Sequence, residues 1–326
     1  MLAYAIRRIL LAIPTLFGIS LVTFTVINLA PGDPASVRAD SVMDPRVSAR
    51  VYEQLSEYYG LDRPLHVRYF DWLRRIVTFD FGNSMTPDAR KVSTKIMERL
   101  PATLSLALLS LALGFALAIP IGILSGAYRN GWFDTISSTV LYALYAVPSY
   151  VMAIPLILWV SIELDLLPFQ GMVSDGYADF STGGKLIDLA QHYVLITFCF
   201  TYGALAYQTR FVRQNLLEVF KQDYILTARA KGVDEATVII KHGFRNTLIP
   251  LVTLFGLTFP QILGGSVILE VMFNWPGIGR LFFESILQRD YPTIMALSFI
   301  TAMLVLLGTL IADLLYAVVD PRVRYE

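Results

Sequence analysis

Charged residues fall in blocks along this chain, and the gaps between the blocks are long and apolar. Residues 9–32, 102–128, 135–162, 193–209, 247–269 and 293–312 contain no Asp, Glu, Lys or Arg. A helix of about 20 apolar residues crosses the hydrocarbon core of a bilayer, and a charge at its centre costs about 2.5 to 3.5 kcal/mol. A buried core helix explains any one such stretch. Six together predict an all-α polytopic membrane protein with six transmembrane helices. The fourth is short and dotted with Thr197, Thr201, Tyr202 and Gly203. The first follows Arg7 and Arg8 as a secretory signal would, yet it is longer than the roughly 7 to 15 residues of a signal core. It also lacks a small-x-small cleavage pattern before Pro31, so it reads as an uncleaved helix.

The same pattern divides the chain into parts. Residues 1–32 form a cytoplasmic tip and the first span, 33–101 an extracytoplasmic subdomain, 102–319 a five-helix core containing the loop 210–246, and 320–326 a cytoplasmic tail. Within the second part, Asp44-Pro45 places an N-cap before a proline at the first helical position. Val47, Val51, Leu55 and Tyr58 follow at helical spacing, and Gly60 is a stop signal. A second short helix is expected from Pro64, with Tyr69, Trp72, Leu73 and Ile76 on one side. The pattern fits a small subdomain and a helical pair lying on the headgroups equally well.

Lysine and arginine set the orientation. With the amino terminus inside, the inner set is Arg7, Arg8, Arg129, the run Arg210 to Arg245, Arg322 and Arg324, whereas the short outer loops hold Lys185, Arg280 and Arg289. Arg90, Lys91, Lys95 and Arg99 fall outside, at the end of a long loop where the rule weakens. Both termini are therefore placed in the cytoplasm.

Several features lie inside the spans. Gly114, Ala118, Gly122 and Gly126 place a small residue at every fourth position, a ridge that lets another helix approach closely, in the same bundle or in a partner subunit. Pro120, Pro148, Pro155, Pro250 and Pro260 can bend their helices, as in transporters and in static membrane helices alike. Asp313 reads as the only acid near the hydrophobic interior. It is a functional candidate, a snorkelling group, or the partner of a loop cation. The Pro276-Gly-Ile-Gly279 run is a tight outer turn or plain loop geometry.

The largest inner loop carries the most information. From Asp223 and Tyr224 through Thr227, Ala228, Arg229, Ala230 and Lys231 to Gly232 it predicts a short amphipathic helix, with Asp223 able to cap its start and Gly232 able to end it in a left-handed conformation. Its small residues and cations suit docking into a soluble partner. Spacing alone suits a plain surface helix as well.

Composition removes other classes. Of the 326 residues 55% are apolar and 16% charged, below the quarter or so charged in soluble proteins. A formal net charge of zero makes a poor general nucleic-acid binder. The single Cys199 excludes an internal disulfide framework, and His66, His192 and His242 have no metal-ligand spacing. Around Gly184-Lys185, Asp179 and Leu186 stand where a phosphate loop needs glycine and Ser/Thr. No catalytic, cofactor or metal residues are assigned. An ion-gradient-driven secondary transporter remains the competitor of another class, but such proteins tend to show internal repeats and several intramembrane acids. A structural scaffold would not need the docking loop.

The loop and a series of motifs resemble the inner-membrane permease subunits of binding-protein-dependent ABC importers, in particular the first permease of the dipeptide, oligopeptide and nickel branch. The series runs from Arg7-Arg8 and Ala30-Pro-Gly-Asp-Pro34 to Tyr59-Gly-Leu-Asp-Arg-Pro-Leu65 and Asp80-Phe-Gly-Asn-Ser84. It continues with Thr227-Ala-Arg-Ala-Lys-Gly232, Glu270 with Phe273-Asn-Trp-Pro-Gly-Ile-Gly279, Asp290-Tyr-Pro292, Asp313 and Asp320-Pro-Arg322. Against the family's Glu-Ala-Ala, three residues, Gly signature, Leu226-Thr227-Ala228 keeps only the second alanine. His242, Phe244 and Arg245 stand where Ile and Leu-Pro would be, as is similar in the peptide branch.

The resemblance implies a type I importer fold with a MetI-like core and a subunit that is not itself an enzyme. It implies a second homologous permease, two cytoplasmic ATPases that bind the ATP, and an extracytoplasmic substrate-binding protein, all at the inner membrane. Di- or oligopeptides are the implied ligands, with nickel chelates, glutathione and glycosides as alternatives. The segment from Asp223 to Gly232 would seat in an ATPase cleft, and the outer segment, with Asp62 and Arg63, would meet the binding protein. In the implied topology the inner segments hold 12 basic and 7 acidic residues and the outer ones 14 and 18, so the zero net charge hides a positive inner side.

Overall fold

A computed structural model describes residues 2–29, 49–50, 52–54, 56–57, 62–263 and 266–319. The expected Asp44-Pro45 cap with Val47, Val51, Leu55, Tyr58 and Gly60, the Ala30–Pro34 motif, Tyr59 to Leu61, and Asp320 to Arg324 lie outside the described residues. Among those described, the chain is helical with no strand beyond an isolated bridge between Asn83 and Lys91.

The longer helices follow the charge-free runs. They are α1 (Leu2–Leu29), α2 (Leu65–Val77), α3 (Val92–Ala127), α4 (Trp132–Tyr145) and α5 (Ser149–Pro155), which widens into a π-helical stretch, Leu156–Glu163. Next come α6 (Thr182–Val219), α7 (Asp223–Ala230), α8 (Arg245–Leu263), α9 (Val267–Met272), α10 (Ile278–Leu287) and α11 (Tyr291–Val319). Among the described residues four helices are long and apolar enough to cross a membrane: Ile6–Leu29, Val92–Ala127, Thr182–Val219 and Tyr291–Leu314.

Two expected spans take a different form. The run 135–162 is not one straight helix, because α4 and the segment after it meet at 95°. Pro148 sits at that break, lacking the N–H that would continue the helix. The Val147 carbonyl there accepts a hydrogen bond from the Tyr202 hydroxyl of α6 at 2.7 Å. The run 247–269 is divided between α8, apolar over Pro250–Pro260, and the short α9, whose start is capped by Ser266.

α3 and α6 run parallel and form the centre of the bundle. The small-residue ridge makes their approach possible. A Cβ added at Gly122 would stand 2.6 Å from Val212 Cβ and 2.8 Å from the Thr209 carbonyl oxygen, and one at Gly126 would stand 3.0 Å from Leu216. Ala118 is fully buried, and Gly114 faces Gln208. The ridge therefore packs against a helix of its own chain. α11 packs on α8, where Gly256 meets Ala312, and on α1.

α2 lies against the second half of α1. The Tyr69 ring meets Phe24 edge-on at 5.3 Å, and its hydroxyl bonds Ser20 at 2.9 Å. Tyr69 and Ile76 are buried and Trp72 and Leu73 half-buried, which is the face the spacing predicts.

Candidate functional site

The end of the bundle that carries the basic loop presents α7. Its inward face is Ile225 and Ala228, packed with Val238, Val219, Phe220 and Val233. Its termination is a Schellman motif: the Val233 N–H reaches the Ala228 carbonyl at 3.2 Å and the Gly232 N–H the Arg229 carbonyl at 3.0 Å. Gly232 takes φ +77°, the left-handed conformation its sequence position predicts, and its missing side chain faces open space.

The start of the helix differs from expectation. Gln222 occupies the N-cap without a side-chain bond, and Asp223 is the first helical residue. There it complements the positive end of the helix dipole and does not cap. Ala228, taken from its spacing as a contact for a partner, is 7% exposed and faces the chain's own core. Asp223, Tyr224, Leu226, Thr227, Arg229, Ala230, Lys231 and Gly232 face outward.

Local bonds set the shape of this outward face. Arg229 Nη2 lies 2.6 Å from Glu235 Oε1, and its guanidinium sits 5.5 Å above the Phe220 ring. The ion pair raises the pKa of Arg229. Asp234 caps the next turn through the Thr237 N–H at 2.9 Å, which lowers its pKa. Asn246 donates to the Tyr224 hydroxyl at 2.9 Å, which ties α7 to the start of α8. Leu226 is 57% and Ile240 54% exposed, so apolar surface adjoins the cations. Leu226 follows Ile225 as one of two adjacent large apolar residues, and the sequence carries no signal of which of the two points outward.

The far end holds two fully buried carboxylates besides the buried Asp188, so Asp313 is not the only acid in the interior. Glu270 of α9 is fully buried. Its Oε1 accepts from Thr103 Oγ1 of α3 and its Oε2 from the Arg280 N–H of α10, both at 3.0 Å. Thr103 Oγ1 also accepts the Ile278 N–H at 2.8 Å, and the Trp275 indole donates to the Ala102 carbonyl at 3.1 Å. The Pro276-Gly-Ile-Gly279 turn thus closes over Glu270 and locks to α3. A Cβ at Gly277 would stand 2.3 Å from Glu270 Oε2 and 2.5 Å from Thr103 Oγ1, so only glycine fits.

Asp290 is the second. It is fully buried and accepts from the Ser84 hydroxyl at 2.5 Å, the Met85 N–H at 2.8 Å and the Thr293 hydroxyl at 2.6 Å. Two motifs 206 residues apart in sequence are joined here. Lys95 donates to Ser84 and Thr86 and pairs with Asp88 at 2.9 Å. The Thr86 hydroxyl, followed by Lys95, lowers the pKa of Asp88 to about 2.

Asp62 and Arg63 are exposed at the start of α2, and Arg63 lies 3.4 Å from Asp71. Arg63 borders a cleft of ≈ 640 Å³ whose lining also includes Arg68, Trp72, Asp80 and Tyr291. Asp313 pairs with a cation of a helix and not of a loop: its Oδ2 is 3.1 Å from Arg8 Nε of α1. Among the described residues no group of His, Cys, Asp and Glu could hold a metal ion.

A bundle of apolar helices with one exposed, partly basic helix and a turn-locked far end defines a polytopic membrane protein. The chain belongs to the family of binding-protein-dependent transport system inner membrane components, whose profile matches residues 118–325, with the family's amino-terminal part matching 1–107. It is 43% identical over the full length of both chains to the oligopeptide transport system permease protein AppB of Bacillus subtilis. It is 37% identical, again over both full lengths, to the glutathione transport system permease protein GsiC of Escherichia coli K12. An inward-facing structure of the MetNI methionine ABC transporter matches the fold with a TM-score of 0.52 at 17% identity, over 69% of this chain and 96% of that one.

Proposed function

We propose that this permease forms half of a translocation path for di- or oligopeptides, working with a second related permease, two ATPases and an extracytoplasmic binding protein. Both of its termini lie in the cytoplasm, and Asp62 and Arg63 belong to the surface that receives the binding protein. The exposed face of α7 seats in an ATPase cleft, and ATP-driven closure of the ATPase pair displaces it. The motion reaches α6 and α8, the helices on either side of α7. Nucleotide shifts the equilibrium only through a difference in its contacts with the two states.

One observation carries the reading: α7 exposes Tyr224, Leu226, Thr227 and Arg229 on a helix capped at Gly232 and tied to the neighbouring helices. Full-length identity to an oligopeptide permease favours peptides, and the glutathione permease relative keeps glutathione as the second reading. The test is uptake by the complex reconstituted in liposomes with its partner subunits. ATP-dependent accumulation of a labelled peptide is expected. Accumulation driven by an ion gradient without ATP would contradict the reading.

A further inference from the structure

Tyrosine hydroxyls fall into two groups in this structure. On packed faces they are bonded: Tyr69 to Ser20, Tyr193 to Ser105 at 2.6 Å, and Tyr202 to the Val147 carbonyl. Tyr142, Tyr145 and Tyr207 are 49%, 62% and 58% exposed; among the described residues Tyr145 and Tyr207 make no hydrogen bond through their hydroxyls, and Tyr142 has only the electrostatic influence of Arg213.

Their depth makes this informative. Asp134 at the start of α4 and Arg213 of α6 form a two-pronged pair, with Nε to Oδ1 and Nη2 to Oδ2 both at 2.7 Å. The pair sets the two helices level at the basic end. With a rise of 1.5 Å per residue, Tyr142 lies about 12 Å and Tyr145 about 16 Å along α4 from that level, against about 15 Å for half of the hydrocarbon core, whereas Tyr207 lies about 9 Å from it, toward the inner end of its apolar run. Tyrosine facing lipid belongs at the headgroup level, where the ring is in apolar surroundings and the hydroxyl meets water. At mid-depth a bare hydroxyl against lipid loses its hydrogen bonds without compensation.

The faces of α4 sharpen the point. At 100° per residue Asp134 and Leu141 point inward, and both are buried. Trp132, Ile136, Val140 and Ala143 form one exposed face, which is wholly apolar. Thr135, Thr139, Tyr142 and Tyr145 form another exposed face, and every member bears a hydroxyl. The two faces adjoin and differ in chemistry: the Thr135 and Thr139 hydroxyls bond the Gly131 and Thr135 carbonyls of their own helix, which leaves the two tyrosines as the groups that call for a polar surrounding. On α6, Tyr207 shares its face with Gly203, beside which a side chain would find open space.

We infer that the hydroxyl face of α4, with Tyr207 of α6, lines a hydrated path through the membrane, while the face of Trp132, Ile136, Val140 and Ala143 turns to lipid. This rests on the reading of the chain as half of a peptide path and names the wall of that path. The α4 wall is uncharged and offers hydroxyls and ring faces. Such a surface solvates main-chain amides, which every peptide has, without selecting by side-chain charge.

The test uses the complex assembled with its partners, in a Cys199→Ala background, since native Cys199 is itself buried. Single variants Tyr142→Cys, Tyr145→Cys and Tyr207→Cys are compared with Val140→Cys and Ala143→Cys for reaction with a water-soluble methanethiosulfonate. Cysteines on the hydroxyl face are expected to react about tenfold faster, because the reacting species is the thiolate, which needs water around it. Three positions keep the test open if one variant does not assemble. Equal rates on the two faces, or faster reaction at 140 and 143, would overturn the inference. If the complex carries a ligand other than peptide, the substrate reading fails, while the reactivity pattern still decides the placement of the wall.

Discussion

At the far end, Glu270 and Asp290 are fully buried and their oxygens are occupied by donors from distant parts of the chain. At the basic end, Asp223, Arg229 and Lys231 are exposed and their helix is held to the bundle by Ile225, Ala228 and one Asn246–Tyr224 bond. Both ends are rich in motif residues, yet the physical demands differ. A buried carboxylate is stable only when its acceptor sites are filled, so each change at the far end leaves donors unpaired. At the basic end most side chains already meet water, and substitution there alters what the helix can dock against.

The largest effect is therefore expected from Glu270→Ala, which strands Thr103 and the Arg280 N–H in the interior. A loss of about 3 kcal/mol is expected, since each buried unpaired group costs about 1 to 3 kcal/mol. Thermal unfolding of the purified complex measures it. Gly277→Ala should destabilise as well, because the added carbon collides with Glu270 and Thr103 together. A Glu270→Ala protein as stable as the native one would remove the far end's structural role.

Next comes Gly232→Val. The left-handed conformation costs a non-glycine residue about 1 to 2 kcal/mol. The bundle is not threatened, as nothing stands near the position. Uptake should fall about tenfold, the factor that about 1.4 kcal/mol makes in a rate, while the complex still assembles and hydrolyses ATP. Normal coupled uptake would show that the shape of the α7 terminus does not matter to transport.

The smallest effect concerns Asp88. Its pKa of about 2 in the folded protein is below the roughly 3.9 of an unfolded chain. The folded state therefore holds the proton less tightly, and the stabilisation is complete above about pH 4 and lost as pH falls toward 2. Asp88→Asn should be slightly less stable than the native protein at pH 6 and indistinguishable from it near pH 2. A difference that persists unchanged at pH 2 would contradict the Thr86 and Lys95 assignment.

Much of this architecture is legible in the placement of charges. α6 and α11 each contain one of the charge-free runs and α1 and α3 carry most of two more, and the α2 face and the Gly232 terminus follow from spacing and glycine chemistry. The rest depends on information that hydropathy does not hold. Pro148 marks a break, but the 95° angle comes from how α4 and the segment after it pack on α6. Glu270 and Asp290 lie just beyond the ends of apolar runs, where a count of charges stops, so their burial is visible only once Thr103 and Ser84 are brought beside them. Ala228 has the size of a docking residue, and only the position of Val238 reveals that it faces inward.

The contrast between the two ends rests on α7 being a surface for a partner. Its most direct measurement is photo-crosslinking in the assembled complex, with a reactive residue placed at Leu226 or at Ala228. The account predicts a crosslink to an ATPase subunit from position 226 and none from 228. Equal capture from both positions, or none from 226 while the complex transports normally, would contradict it.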